Sequence, residues 1–263
     1  MKREQERRKQ TLAAACQDLK SEPTSDYRHL LVNNKHQILF NFIPKVSCST
    51  WKTIWRRLNS KNGELKMLLP HYRKDDARLM NYRKVLFVRE PMSRLLSAYL
   101  SKFHSWTGTQ RIWESRYGRA IVKRYRGVEN PKLGGGGGKW LNITFIEFIK
   151  HITDLGSGIR INELNDHWLP QYKLSRPCHV KYDFIGHFEN IAVEGPFVLR
   201  WLGINHFVRF PKYHSSNAKE HFGEYYESIS PDLMRKLMDY YREDYKLFGY
   251  SPDDVMSLVQ RGV

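Results

Sequence analysis

No stretch of roughly 18 apolar residues occurs anywhere in the 263-residue chain, so nothing in it reads as a membrane span. The opening "MKREQERRKQTLAAACQDLK" has no apolar core of the kind a secretory leader needs; it reads instead as a charged helix. Cysteine is scarce. Cys16, Cys48 and Cys178 form neither a CxxC pair nor a zinc-ligand spacing, which excludes a zinc module and a disulfide-dense scaffold. Negative charge is also short: 27 Asp and Glu against 44 Lys and Arg leave a formal charge of +17. A surface so basic attracts polyanions such as nucleic acid, anionic membrane or acidic polysaccharide.

Hydrophobic residues are in ordinary supply at 41% of the chain, enough for one sizeable core. Residues 1–26 are polar and break at Pro23, so they are taken as a charged stem or appendage. Residues 27–252 are taken as one domain and 253–263 as a tail. A strand at 36–43, a loop at 44–50 and a helix at 51–59 form the first clear unit. In it Trp51, Ile54, Trp55 and Leu58 recur at the spacing of one buried helical face. "KVLFV" at 84–88, then "REP" and a helix with Met92, Leu95, Leu96, Tyr99 and Phe103 on one stripe, repeats the plan. Two such units predict an α/β domain with a central parallel sheet flanked by helices, its ligands lying at the strand C-terminal ends. Further along, 110–126 reads as a basic helix and "PKLGGGGGK" as a loop. Thr144 and Glu147 make a capping box. "YDFIG" at 182–186 reads as a strand, 193–203 as a helix, and a last helix runs from Ser230 and Pro231 to Gly249.

The loop "PKVSCSTWK" at 44–52 holds no glycine, so it is not the G-x-x-x-x-G-K-[ST] loop of nucleoside triphosphatases. It does place a lysine, three hydroxyls and a helix N-terminus at the end of a strand, an arrangement that suits an anion. Lys45, Val46, Ser47, Cys48, Ser49 and Thr50 form this candidate site. Trp51 reads equally as an aromatic face for a base or as core. Arg89, at the end of the second strand, and Ser97, two helical turns on, suit a second phosphate, so a nucleotide with phosphates at two ends of its ribose would satisfy both loops. For Arg89 the bland alternative is an ion pair with Glu90 or a core carboxylate.

"PKVSCSTWK" resembles the 5′-phosphosulfate loop of sulfotransferases, and "FVREPMSRLLSAY" (87–99) resembles their 3′-phosphate segment. With "NDHW" (165–168), "PCHVKYDFIGHFE" (177–189) and "YKLFGY" (245–250), the chain resembles the Golgi carbohydrate sulfotransferases of the HNK-1 and chondroitin 4-O-sulfotransferase group over roughly 27–250. The resemblance implies a sulfotransferase-type fold and 3′-phosphoadenosine 5′-phosphosulfate as donor, with no metal. Lys45 would act on the bridging oxygen, and Arg89 and Ser97 on the 3′-phosphate. It further implies His71, in "LLPHYRKDD", as general base, with His167 as the rival assigned to acceptor binding and Trp168 available to stack on a sugar. The acceptor expected is the 4-OH of GalNAc in chondroitin- or dermatan-type chains. Alternatives are terminal glucuronic acid or GalNAc on a glycoprotein, and, in another class, a non-catalytic polyanion binder. The partner is then an acidic glycosaminoglycan or a glycoprotein glycan rather than nucleic acid, met by Arg111, Arg116, Arg119, Lys123, Arg124 and Arg126. Relatives are type II proteins of the Golgi lumen, held by an N-terminal anchor that these 263 residues do not include. In such a lumen Cys16 and Cys178 are a hypothetical disulfide. Asn142-Ile143-Thr144 is a sequon for N-glycosylation.

Overall fold

The continuous apolar runs become the strands of one sheet, buried on both faces as unalternating runs require. The computed structural model describes residues 1–19, 27–59, 77–104, 110–131, 141–154, 165–212 and 220–253. Strands β2 (Ile38–Asn41), β3 (Arg83–Val88) and β4 (Phe184–His187) run parallel, with Phe40 opposite Val85 and Leu86 opposite Ile185. The sheet is nevertheless mixed. A strand that the sequence reading did not separate, β1 (Leu30–Asn33), pairs antiparallel with β2 and completes the order β1-β2-β3-β4. It is short, but all four of its residues are buried.

Two compact units share the chain. One comprises Met1–Pro91, Leu169–Ser215 and Arg242–Ser251, the other Met92–Trp168, Ser216–Tyr241 and Pro252–Val263. The first holds the sheet with α1 (Lys2–Asp18), α2 (Cys48–Leu58), α3 (Ala77–Asn81), α8 (Gln171–Ser175), α9 (Ile191–Trp201) and α12 (Arg242–Phe248). Helix α2 buries the predicted stripe of Trp51, Ile54, Trp55 and Leu58. Its indole Trp51 lies 4.6 Å from the ring of Phe40 and 5.0 Å from that of Phe87. Full burial of each such large side chain contributes on the order of 1.5–3 kcal/mol. Beside them Gly186 is required: a Cβ there would stand 2.2 Å from the Phe87 ring.

Helix α1, in the segment read above as an appendage, lies against α12 and β4 and buries Gln5, Arg8 and Leu12. The Gln5 amide meets the edge of β4 as a neighbouring strand would. Its Nε2 donates to the Ile185 carbonyl at 2.9 Å, and its Oε1 accepts the Ile185 N–H at 2.8 Å. Arg8 adds a bond to the same carbonyl at 2.8 Å and a two-bond pair with buried Glu194. A disulfide from Cys16 to Cys178 ties the end of α1 to the unit, across 162 residues of sequence.

The second unit is helical. It contains α4, which opens at the boundary residue Pro91 and runs as Pro91–Tyr99, then α5 (Gln110–Trp113), α6 (Arg119–Arg126), α7 (Phe145–Thr153), α10 (Phe222–Tyr226) and α11 (Pro231–Tyr240). The basic helix expected over 110–126 is interrupted by a π turn at Glu114–Gly118. There the buried Glu114 carboxylate accepts the N–H groups of Leu141 and Asn142. Thr144 and Glu147 form the expected capping box of α7, and Ser230 caps α11. The last helix is two: Tyr241 breaks it, and Gly249 closes α12 with φ +67.

Two expectations follow. Thiol titration of the denatured, unreduced protein finds one thiol, Cys48, and Cys16→Ser lowers unfolding stability by about 2–5 kcal/mol, because the open chain regains the freedom of a long loop. Finding three thiols would contradict the cross-link. The second concerns His187, which burial, aided by the Arg8 charge, lowers to about 3. Its fold holds the neutral ring, so stability is complete above the unfolded value near 6.5 and is lost as pH falls toward 3. Between pH 6.5 and 5, urea unfolding shows a decline of up to about 1.4 kcal/mol per pH unit for this group. His187→Gln flattens that slope.

Candidate functional site

Where β2 ends, the chain turns through two left-handed residues, Lys45 at φ 69 and Ser47 at φ 51, before entering α2 at Cys48. Val46 between them is buried, which pins the turn to the core. Left- and right-handed residues in alternation gather successive N–H groups into a concave nest. The Ser47 side chain makes no cap bond and the first turn carries no acidic residue, so the end of an eleven-residue helix is left suited to an anion. Lys45, Ser47, Cys48 and Thr50 are half-buried, and Ser49 is exposed. The Trp51 ring is wholly inside the core, and the backbone N–H of Trp51 donates to the Ser47 carbonyl at 3.1 Å. Of the two readings open for Trp51, the structure therefore gives its ring to packing.

Arg89 lies beside this loop. Its Nη1 donates to the Lys45 carbonyl at 3.2 Å and its guanidinium sits 4.4 Å from the ring centre of Phe188. The side-chain amide of Gln171 clamps its backbone, with Oε1 accepting the Arg89 N–H at 2.9 Å and Nε2 donating to the Arg89 carbonyl at 2.7 Å. Asp244 fixes Gln171 in turn, its two carboxylate oxygens accepting the N–H groups of Gln171 and Tyr172 at 2.7 and 2.8 Å. Gln171 and Asp244 are both fully buried. Glu90 accepts the Tyr245 hydroxyl at 2.8 Å, and its N–H donates to Glu189 at 2.9 Å. The loop and Arg89 are thus joined at the C-terminal ends of β2 and β3, the end of the sheet that the parallel topology marks for ligands.

In the helical unit, Ser97 is half-buried on α4. The segment 165–168 is held at both ends: buried Arg94 donates to the Asp166 carbonyl at 2.7 Å, and the Tyr241 hydroxyl to the Trp168 carbonyl at 2.5 Å. His167 Nδ1 lies 2.5 Å from Asn165 Oδ1, which also accepts the His167 N–H at 3.0 Å. A carboxamide oxygen only accepts, so in the neutral ring Nδ1 carries the proton and Nε2 the lone pair. Trp168 is fully buried, 5.0 Å from Tyr117 and 5.2 Å from Phe148. It is a core residue and offers no face to a sugar, which corrects the expectation above. His71 lies outside the described residues. Of the basic group, Lys123 pairs with Glu129, Arg124 with Asp154 and Arg126 with Glu147, while Arg116 rests over Tyr117. Sequence reading passed over Arg94, Gln171 and Asp244. Arg94 had one signal, a charge set among Met92, Leu95 and Leu96.

Against known proteins, the profile of the sulfotransferase family matches residues 28–251. Carbohydrate sulfotransferase 14 of Homo sapiens is 35% identical over 239 residues, 85% of this chain and 60% of that protein. Its Danio rerio counterpart is 34% identical over 242 residues, 85% of this chain and 62% of that one. Carbohydrate sulfotransferase 11 of Rattus norvegicus is 30% identical over 253 residues, 89% of this chain and 70% of the relative. The chain thus spans about three fifths of the length of the first two. No solved structure matches.

The clamp on Arg89 makes a direct expectation. Gln171→Leu leaves a buried N–H and a buried C=O unmet, at about 1–3 kcal/mol each. Chemical unfolding should show that loss, whereas an unchanged midpoint would mean the amide is not holding the strand end.

Proposed function

Because the chain belongs to the sulfotransferase family, we propose that it is a carbohydrate O-sulfotransferase that uses 3′-phosphoadenosine 5′-phosphosulfate. The carrying observation is the left-handed turn at Lys45 and Ser47, entering α2 with Arg89 bonded to its backbone. That arrangement fits a donor with a charged 5′ end: N–H groups and hydroxyls of residues 47–50 face terminal oxygens, Lys45 faces the bridging oxygen, and Val46, whose N–H donates to the Ile43 carbonyl at 3.2 Å, shapes the turn between them. Arg89 and Ser97 hold the 3′-phosphate and supply position rather than chemistry. Bound there, the donor supplies the sulfonate.

In the transfer, the acceptor oxygen forms a bond to sulfur as the bond from sulfur to the 5′-phosphate oxygen breaks. Lys45 meets the negative charge that builds on the departing oxygen, and preorganised groups of this kind are worth about 3–4 kcal/mol each. His71 takes the acceptor proton, and His167, its ring oriented by Asn165, contacts the acceptor. The acceptor we favour is the 4-OH of GalNAc in a chondroitin- or dermatan-type chain. That choice rests on the wording of the sequence motifs, and the named relatives support a carbohydrate. The disulfide between Cys16 and Cys178 supports an oxidising compartment such as the Golgi lumen.

Calorimetric titration tests the donor site. Adenosine 3′,5′-bisphosphate should bind much more tightly than ATP, and the Lys45→Ala, Arg89→Ala double variant should lose that binding. Equal binding of both nucleotides would remove the sulfotransferase reading and favour a polyanion binder. Kinetics then separate the histidines. His71→Ala should cut kcat by about 100-fold or more with donor affinity intact, whereas His167→Ala should mainly raise the acceptor KM. Full turnover by His71→Ala would exclude it as the base.

A further inference from the structure

The helical unit contains a cavity that the donor loops do not explain. Its volume is about 460 Å³, and residues of α4, α7, α10 and their flanking turns line it. That volume falls in the range of small-ligand sites. Tyr99, Phe145, Tyr225 and His104 form its aromatic wall: Tyr225 lies 5.7 Å from Tyr99, 5.5 Å from Phe145 and 6.2 Å from His104, centre to centre. The Tyr99 hydroxyl donates to the Ile143 carbonyl at 2.8 Å, which holds that ring in place. Polar groups on the lining include the Glu224 carboxylate and the Asn142 amide.

Charge decides what such a wall can take. On a chain of +17, neither lysine nor arginine is among the described residues lining the cavity, and its carboxylate is Glu224. An acidic group would meet the Glu224 carboxylate there, and none of the described lining residues is a lysine or arginine that could pair with it. Burial raises both Tyr99 and Tyr225, so their hydroxyls stay protonated at working pH. Aromatic rings meet the C–H face of a pyranose, a carboxylate and an amide accept its hydroxyls, and an acetamido methyl suits apolar walls.

We propose that this cavity is a subsite for a neutral N-acetylhexosamine unit, a place where the acceptor chain is read by shape and hydroxyls rather than by charge. The proposal rests on the carbohydrate reading of the preceding section and adds a site to it.

Saturation-transfer NMR on the whole chain tests it, with methyl N-acetyl-β-D-galactosaminide, methyl β-D-glucuronide and tetramethylammonium as probes. The amino sugar should receive saturation, at least fivefold more than the glucuronide, and the signal should fall at least fivefold in Tyr225→Ala. Ser228→Trp, made at an exposed lining position, should block the site without removing core packing. Loss of signal in Ser228→Trp with an unchanged melting temperature supports the subsite even where Tyr225→Ala fails to fold. No transfer to the amino sugar, equal transfer to the glucuronide, stronger transfer to tetramethylammonium, or a signal indifferent to Ser228→Trp would each overturn it. Titration of adenosine 3′,5′-bisphosphate into the same samples keeps the two readings apart. Nucleotide binding without sugar binding sinks the subsite alone, and absent nucleotide binding sinks the sulfotransferase reading.

Discussion

A four-stranded sheet leaves backbone N–H and C=O groups over, along its outer edge and past the last rung of each strand, and buried groups of that kind must be met. Much of the sheet-containing unit is arranged to meet them with side chains borrowed from distant sequence. Gln5 supplies one donor and one acceptor to Ile185 on the β4 edge, 180 residues away. Gln171 does the same for Arg89, where β3 has run past its pairing with β4. Asp183 accepts the Lys84 N–H at 2.7 Å near the opposite end of β3. A carboxamide is the natural choice at the first two positions, because it carries the same donor and acceptor as a peptide unit.

This satisfaction of leftover groups is also what gives the strand ends a fixed shape. Arg89 has its backbone clamped by Gln171, which Asp244 holds, and its guanidinium reaches back to the Lys45 carbonyl. The lysine loop is stiffened separately, by burial of Val46 and by the aromatic packing of Trp51 beneath it. Two cationic positions are thereby set before any anion arrives, and ordering them at the moment of binding would otherwise cost side-chain and loop entropy. The same logic holds at 165–168 in the helical unit, where Arg94 and Tyr241 grip the backbone on either side of His167.

Local signals carried the sequence reading as far as local physics goes. The apolar runs of β2, β3 and β4, the stripe of α2, and the caps of α7 and α11 each need only neighbours in sequence, and each was legible. β1 was missed because three apolar residues and an asparagine beside a turn look like many other short runs; its identity comes from pairing with β2. The break at Tyr241 was hidden because the pattern on either side is equally helical. Of the site, the lysine loop and Arg89 could be read, since motif and topology coincide there. Gln171 and Asp244 could not, being polar residues whose meaning lies 82 and 73 residues away. Trp168 misled for a related reason: an aromatic beside a histidine reads as a sugar platform, and only the packing of Tyr117 and Phe148 around it shows a core residue.

The distribution of charge bears on how an acidic polymer would be told from other polyanions. A net +17 draws all of them alike, so it cannot by itself select a partner. Yet the basic helix that looked most like a polyanion track spends Lys123, Arg124 and Arg126 on carboxylates of its own unit, and Arg126 also grips the carbonyls of Leu141 and Asn142. The bonds of Arg124 and Arg126 hold α6 against α7 and the turn before it, which is a structural task. The cavity nearby, walled by aromatics and lacking lysine and arginine on its described lining, would favour the uncharged sugars of a mixed chain. Attraction would then be general and long-range, and selection local and close to neutral. That division would let a strongly basic protein be particular about a carbohydrate.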